Sequence, residues 1–534
     1  MENDSLKGHR IRKMFIQGLF AGAFATVATY VGATLIGIPF PPQAIFQLLI
    51  SPVPGSIESF IVETFREYGK YSAFAFASAI YVLLYTLVAV LVGLLFSAKR
   101  FYAILVGTGI TSAIGFGLEL TLAARASVLT SVLGWLAVVG LLLVVNLAYS
   151  MIVIEQVGAS RPQIGKQPST MMSPSRRGFL KKIAVLAAVV AFAGIAAKIG
   201  FSLLSGQPVV RSNTPIPTNG QPPGFEFLDA PDILRDPRIS DLVASEVTDN
   251  RVFYRVDINP IPPQLDFDQW SLKISGKVNS PTTLNRSSLL ALPTRDEYAT
   301  LECVSNTINP PSALISNAKW TGVPVSKLLD QVGVATDAKY VVFHCADGYS
   351  VGVPLDRAMQ PGALLTYKMN DEFLPNGHGF PLRAIVPGIY GMMNAKWITE
   401  IEVVDYVYLG YWQQRGWSND ARIKTISIVY YPLSEAQVKA PLPIAGVAFA
   451  GDRGISKVEV SVDGGNTWQE AFLKKPKSPY SWVLWAYEWN PPNKGTYTIT
   501  ARAYDGQGQV QDQTARPPFP DGASGYHAVQ VTVV

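Results

Sequence analysis

Cysteine and histidine are scarce in this chain: 534 residues hold two cysteines, Cys303 and Cys345, and four histidines, His9, His344, His378 and His527. Two thiols cannot build a disulfide framework, so the globular part must be held by its core. No Cys-x-x-Cys-His run is present, which excludes covalently attached haem. Residues 14–204 contain no histidine, so a haem ligated by two histidines is excluded there as well, and no haem is expected. Charged residues are few, at 16%, and the net charge of +5 includes many basic residues beside apolar runs. That balance says little about partners, and nothing in it points to nucleic acid.

What the chain has in abundance is apolar length. Five stretches reach the roughly 20 apolar residues a bilayer span requires: 14–38, 71–98, 101–124, 126–154 and 183–204. Twelve basic residues fall in the loops of one side (Lys7, Arg10, Arg12, Lys13, Lys99, Arg100, Arg161, Lys166, Arg176, Arg177, Lys181, Lys182), against Arg66, Lys70 and Arg125 on the other. The positive-inside rule then puts the N-terminus in the cytoplasm and residue 205 onward outside. Glu119 and Arg125 flank the outer end of the third span and read as an interfacial pair facing water, the other reading being a quinone or ion site. Within 51–70 the spacing of Phe60, Ile61, Thr64, Phe65 and Tyr68 suggests an amphipathic surface helix.

Ser175-Arg-Arg-Gly-Phe-Leu-Lys-Lys182, followed at once by an alanine-rich apolar stretch, has the pattern of a twin-arginine export signal. Charge places it in a cytoplasmic loop, where export needs it. Cargo of that route is already folded and commonly carries a cofactor, so a cofactor protein is expected outside the membrane. Apolar residues continue past the one Ala-x-Ala, so the segment is expected to stay as an anchor. Residues 206–224 hold five prolines and read as an extended tether.

Beyond it, 225–420 mixes strands (271–278, 340–344, 382–386, 398–404) with helical pieces such as 325–331, an α+β pattern. Residues 422–534 carry only strand signals, at 457–462, 467–472 and 497–504, with Asp463-Gly-Gly-Asn466 and Asp505-Gly506 as turns, which suggests an immunoglobulin-like sandwich. Several motifs stand in order in this half: Thr300-Leu-Glu-Cys-Val-Ser-Asn306, Ala318-Lys-Trp-Thr-Gly-Val-Pro324, His344-Cys-Ala-Asp-Gly-Tyr349, Leu374-Pro-Asn-Gly-His-Gly-Phe-Pro-Leu-Arg383, Val386-Pro-Gly-Ile-Tyr-Gly391 and Ala395-Lys-Trp397. This series resembles the sulfite oxidase family of molybdenum enzymes over about 240–534.

The resemblance implies that Cys303 is the protein ligand to molybdenum, a soft thiolate beside the dithiolene of the pterin. It implies cofactor-binding roles for His378, Arg383 and Lys396, with the backbone of Gly391, Met392 and Met393. Arg383 suits phosphate as a fork and Lys396 as a point charge, while His378 would donate a ring N–H. Tyr254, Arg255 and Asp257 occupy the place of an early cofactor contact, and Asn306 closes the cysteine motif. His344 and Asp347 are further contacts, with strand-end hydrogen bonding and an Asp-Gly turn as the equal alternative. Cys345, in an apolar strand, reads as core.

Departures bear on substrate. The family follows its cysteine with arginines, whereas Val-Ser-Asn-Thr-Ile-Asn-Pro follows Cys303, and its Trp-Gln-Arg-Arg segment is here Trp412-Gln-Gln-Arg-Gly-Trp417. Arg415 remains as the expected catalytic cation. A pocket depleted of positive charge disfavours sulfite and leaves a neutral oxo-transfer substrate, such as a sulfoxide, as competitor.

The expected architecture is thus four transmembrane helices in 1–174, the twin-arginine motif with a fifth helix in 175–204, a linker in 205–224, a sulfite-oxidase-type molybdopterin domain in 225–420, and an immunoglobulin-like domain in 421–534. The expected function is oxygen-atom transfer by an enzyme bound to the bilayer. With no haem of its own, it exchanges electrons with a c-type cytochrome or a membrane redox subunit. The other class considered is a non-catalytic accessory subunit that keeps the fold as scaffold.

Overall fold

The computed structural model describes residues 236–534 apart from Pro260, residues 40–50 and 67–95, and isolated positions in 11–30 and at Val53, Ile57 and Ile233. The third, fourth and fifth expected spans, the twin-arginine segment and the proline-rich tether lie outside the described residues, as does most of the expected amphipathic helix. The chain divides into two compact units, one containing the N-terminal helices and the other residues 265–534 with the segment before Asn259.

In the first unit, α1 (Pro41–Ile50) opens with a pair of prolines, Pro41 and Pro42, whose fixed φ suits the first turn of a helix; the sequence reading did not anticipate it. The 29-residue α2 (Glu67–Leu95) covers most of the expected second span. Side chains of α2 are described over 72–88 and at 90 and 91, and among the described residues no helix is long and apolar enough to cross a membrane. Gly18 and Gly22, one helical turn apart, lie against Thr86 and Val82 of α2; a Cβ on Gly22 would come within 2.8 Å of Val82 O.

The second unit begins with a short strap, α3 (Ser240–Ala244). Two sheets follow. One has the order β2-β1-β10-β5-β6, from Ser271–Gly276 (β1), Thr282–Asn285 (β2), Tyr340–Cys345 (β5), Ser350–Pro354 (β6) and Ile398–Val404 (β10). The other runs β3-β4-β7-β8, from Arg295–Glu302 (β3), Ile315–Pro324 (β4), Leu364–Met369 (β7) and Glu372–Phe373 (β8), with Arg383–Ile385 (β9) also paired to β7. β1 alternates, burying Leu272 and Ile274 with Ser271 and Lys273 exposed, as a strand with one covered face does, whereas the central β5 and its neighbour β6 bury Val341, Phe343, Val351 and Val353 completely. Between β4 and β5, the helix Val325–Val332 buries Val325, Leu328, Leu329 and Val332, an i, i+3, i+4, i+7 stripe.

Residues 426–533 are β-rich, in two sheets of orders β11-β13-β17-β16 and β12-β19-β18-β14-β15. The first contains Ile426–Tyr431 (β11), Leu442–Phe449 (β13), Phe472–Leu473 (β16) and Val483–Trp489 (β17); the second contains Ala436–Val438 (β12), Ile455–Ser461 (β14), Gln469–Glu470 (β15), Gly495–Asp505 (β18) and His527–Val533 (β19). The single strand expected over 467–472 is two: Gln469–Glu470 pairs with β14 and Phe472–Leu473 with β17, so the chain changes sheets at the buried Ala471. The strap docks here: Ile239 and Val243 pack with Ala445 and Ala486, and the buried Lys474 Nζ reaches Val243 O (2.9 Å) and Glu246 Oε2 (3.0 Å).

Candidate active site

Cys303 stands at the exit of β3, where the backbone stops pairing with β4 and turns. Its N–H donates to Leu314 O and its carbonyl accepts from Asn306 N, both at 2.9 Å. Asn306 closes this loop. Its Oδ1 accepts from Ser312 Oγ (2.9 Å) and Leu314 N (3.1 Å), and its Nδ2 donates to Glu302 Oε1 (3.0 Å). Cys303 Sγ lies 3.0 Å from Ser305 Oγ.

The thiol opens into a pocket of about 970 Å³, its open mouth included, whose lining carries Tyr254, Asp257, Asp347, His378, Arg383, Gly391, Met392 and Lys396. They arrive from several elements. Asp347 sits on the turn after β5, where Gly348 takes a φ of +84°. His378 ends a 3-10 turn, Arg383 opens β9, and Gly391 and Met392 begin another 3-10 turn. Lys396 precedes the fully buried Trp397, whose φ of +55° is costly for a bulky residue and marks strain at the site.

Arg383 is the most telling group. Its guanidinium is buried over the Trp320 ring (4.9 Å), donates to His378 O (3.1 Å) and, at a long 3.5 Å, to Asn394 O, and leaves Nε–H without a partner. Burial lowers its pKa to about 10, so it stays charged at neutral pH. A buried cation with no carboxylate on it calls for an anion from outside the chain. Lys396 differs: Nζ is ion-paired with Asp257 and also meets Gly377 O (3.3 Å) and Val256 O (3.4 Å). Burial pushes its pKa down while Asp257 pulls it up. Arg255 joins the same carboxylate at 3.2 Å, from outside the pocket lining.

His378 is nearly buried, which lowers its pKa to about 4, and its Nε2 meets Asn250 O at 3.0 Å. A carbonyl partner fixes Nε2 as the protonated nitrogen of the neutral ring, so the donor expected for a cofactor is already used, and Nδ1 is an acceptor. Asp347 lines the pocket with its pKa pushed to about 7 by burial, and its Oδ1 accepts from Tyr349 N (3.0 Å). Burial also raises Cys303, offset by Ser305, and raises Tyr254 well above its usual value, helped by the neighbouring Cys303.

Besides Arg255, four expected residues sit elsewhere. His344 points out of β5 to Glu402 Oε2 (2.9 Å) and is absent from the pocket lining; its strand-end alternative is the observed one. Asn306 acts behind the cysteine, on the loop. Met393 is fully buried in the core next to the pocket-lining Met392. Arg415 is also outside the lining, lying over the Tyr411 ring at 3.5 Å with Nη1 donating to Tyr411 O (2.7 Å), because the 3-10 turn Gln413–Arg415 points its last residue back along the chain. Cys345 is core, as expected. Sequence reasoning missed Phe253, Val304, Ser305, Tyr349, Trp412 and Trp417, all of which line the pocket. The Trp412–Trp417 segment was visible only as a departure from a pattern, not as a wall.

A soft sulfur donor, a buried guanidinium lacking an anion and a glycine at the wall fit a metal-bound pterin ending in phosphate. Among the described residues no group of three or more His, Cys, Asp or Glu could hold a metal, so Cys303 would be the chain's contribution and the pterin's sulfurs the rest.

This fold and site define a class, the molybdopterin oxidoreductases. A family model for the oxidoreductase molybdopterin binding domain matches residues 258–412, and one for the Mo-co oxidoreductase dimerisation domain matches 419–518. The mitochondrial sulfite oxidase of Rattus norvegicus is 28% identical over 61% of this chain and 66% of its own length. The sulfite oxidase of Arabidopsis thaliana is 27% identical over 57% of this chain and 88% of its own. The sulfane dehydrogenase SoxCD of Paracoccus pantotrophus superposes with a TM-score of 0.47 at 23% identity, over 53% of this chain and 80% of that one. The chain carries the molybdopterin oxidoreductase domains of the sulfite oxidase family, and it spans 66% of the length of the rat and mouse relatives.

Proposed function

We propose that this chain is a molybdenum oxidoreductase catalysing oxygen-atom transfer, anchored in a membrane with its catalytic part outside the cytoplasm. The buried, anion-less Arg383 facing the same pocket as Cys303 carries the cofactor reading. The membrane reading rests on the five apolar stretches, the loop charges and the twin-arginine pattern. The close Gly18 and Gly22 approach to α2 supports it, because membrane helices associate through such small-residue crossings.

When bound, the molybdenum-pterin group supplies two-electron oxygen-atom exchange: substrate and water give the oxo product, two protons and two electrons, or the reverse. The chain supplies the rest. Arg383 neutralises phosphate, and the Asn306 clamp holds the Cys303 loop. Asp347, near pH 7, can hold or release a proton at its carboxyl inside the pocket. The electrons go to or come from a separate carrier, a c-type cytochrome or a membrane redox subunit.

Molybdenum and pterin analysis of the purified full chain tests this directly. Close to one equivalent of each is expected; protein with neither would sink the enzyme and promote a scaffold role in an electron-transfer complex.

A further inference from the structure

Cofactor anchoring leaves one side of the pocket unexplained. Trp412, Trp417, Met392 and Tyr349 line it as a connected wall. The two indoles meet edge to face at 6.4 Å, Gln413 Nε2 lies against the Met392 and Met393 sulfurs (3.9 and 3.4 Å), and Tyr349 Oη donates to Met392 O (2.5 Å). Val304 and Ser305, next to Cys303, also line the pocket. Within this apolar wall, Trp417 Nε1–H is buried and has no hydrogen-bond partner. An indole nitrogen is a donor only, and buried indoles normally find an acceptor.

Cations are committed elsewhere. Lys396 is neutralised by Asp257, Arg383 is the phosphate anchor, and Arg415 lies over Tyr411 outside the lining. A dianion brought to this wall would lose its hydration with no charge to replace it, a large cost. A neutral molecule with apolar arms and one oxygen acceptor would lose little and satisfy the orphan N–H.

We propose that Trp417 sets substrate class, its Nε1–H holding the oxygen of a neutral oxo compound with apolar substituents while the wall around it rejects dianionic oxyanions. This rests on the molybdopterin reading above and adds the identity of the substrate end.

Calorimetry on the full-length, cofactor-loaded protein in detergent, with the cofactor kept reduced so that the sulfide probe cannot be oxidised, tests it. Methyl phenyl sulfone should bind and sulfate should not. Methyl phenyl sulfide, of similar shape without the oxygens, should bind roughly two- to tenfold more weakly than the sulfone, the worth of one neutral hydrogen bond. Trp417→Phe should remove that difference while keeping the wild-type molybdenum content, and Trp417→Tyr, which retains a donor, should restore part of it. Equal affinity for sulfone and sulfide in the wild type, or sulfate binding more tightly than sulfone, overturns the inference, and the ligand comparison needs no variant to fold. Failure of the underlying cofactor reading is distinct, since it shows as wild-type protein lacking molybdenum and pterin.

Discussion

Asn306 reaches back past Cys303 to Glu302: its Nδ2 donates to Glu302 Oε1 at 3.0 Å, while its Oδ1 ties down Ser312 and Leu314 on the far side of the loop. Glu302 is buried, and burial pushes its pKa to about 8, so at neutral pH it is mostly the neutral acid, with its other oxygen, Oε2, buried and without a hydrogen-bond partner. The sulfur is thus held by a neutral polar clamp rather than by charge.

Removing the clamp should loosen the sulfur without touching it. Asn306→Ala leaves the Leu314 N–H and a Glu302 oxygen unsatisfied in the interior, at about 1–3 kcal/mol. The expected result is a lower melting temperature together with partial loss of molybdenum, while Asn306→Ser, which keeps one acceptor, falls between. Unchanged molybdenum content in the alanine variant would show that Cys303 is positioned by other means.

Cys303 and Arg383 should fail in different ways. Cys303→Ser replaces a soft donor by a hard one, so turnover is lost while pterin stays, held at its phosphate end. Arg383→Ala deletes the buried cation and its contact with Trp320, so cofactor content itself falls, and Arg383→Lys recovers charge but not the fork. Pterin and molybdenum assays beside activity separate the two; full pterin content in Arg383→Ala would remove the phosphate assignment.

Export should depend on the two arginines. Reporter fusions are expected to place residue 170 inside and residue 220 outside, and Arg176→Lys with Arg177→Lys should retain the C-terminal half in the cytoplasm while the earlier helices still insert. Normal export of the Lys-Lys protein would mean that the segment is an ordinary membrane helix with basic flanks.

How much of this was readable in the sequence depends on whether a residue's task is local. Strands such as 398–404 and the helix from Val325 were readable because their periodicity is a one-dimensional signal, and the helix runs only one residue past the expected 331. Cys303, His378 and Arg383 were readable because motif order carried them. The lining by Trp412, Trp417, Tyr349 and Phe253 was not, since no spacing in the chain announces that aromatics from three separate stretches line one pocket. Arg415 was misplaced for the complementary reason: a residue type suited to anions was visible, but the turn that stacks it on Tyr411 was not. His378 lines the pocket as expected, but its Nε2 contact with Asn250 was not readable, because that partner lies 128 residues away.

The C-terminal sheets contain a pH-sensitive group far from this chemistry. His527, at the start of β19, is 4% exposed, and its Nδ1 accepts the Val429 N–H at 3.0 Å. Burial lowers its pKa to about 4 from an ordinary value near 6.5. Between those values the unfolded chain binds a proton that the folded chain does not, so stability rises with pH across the window and is lost as pH falls from 6.5 towards 4. One such group contributes a slope of at most about 1.4 kcal/mol per pH unit. His527→Gln removes the titration, and its side-chain oxygen can still accept from Val429. Melting curves of the purified protein at pH 5 and 7 are therefore expected to show a smaller acid penalty in the variant than in the wild type. An equal penalty in both would mean that other groups, His378 with its similarly lowered pKa first among them, govern acid stability.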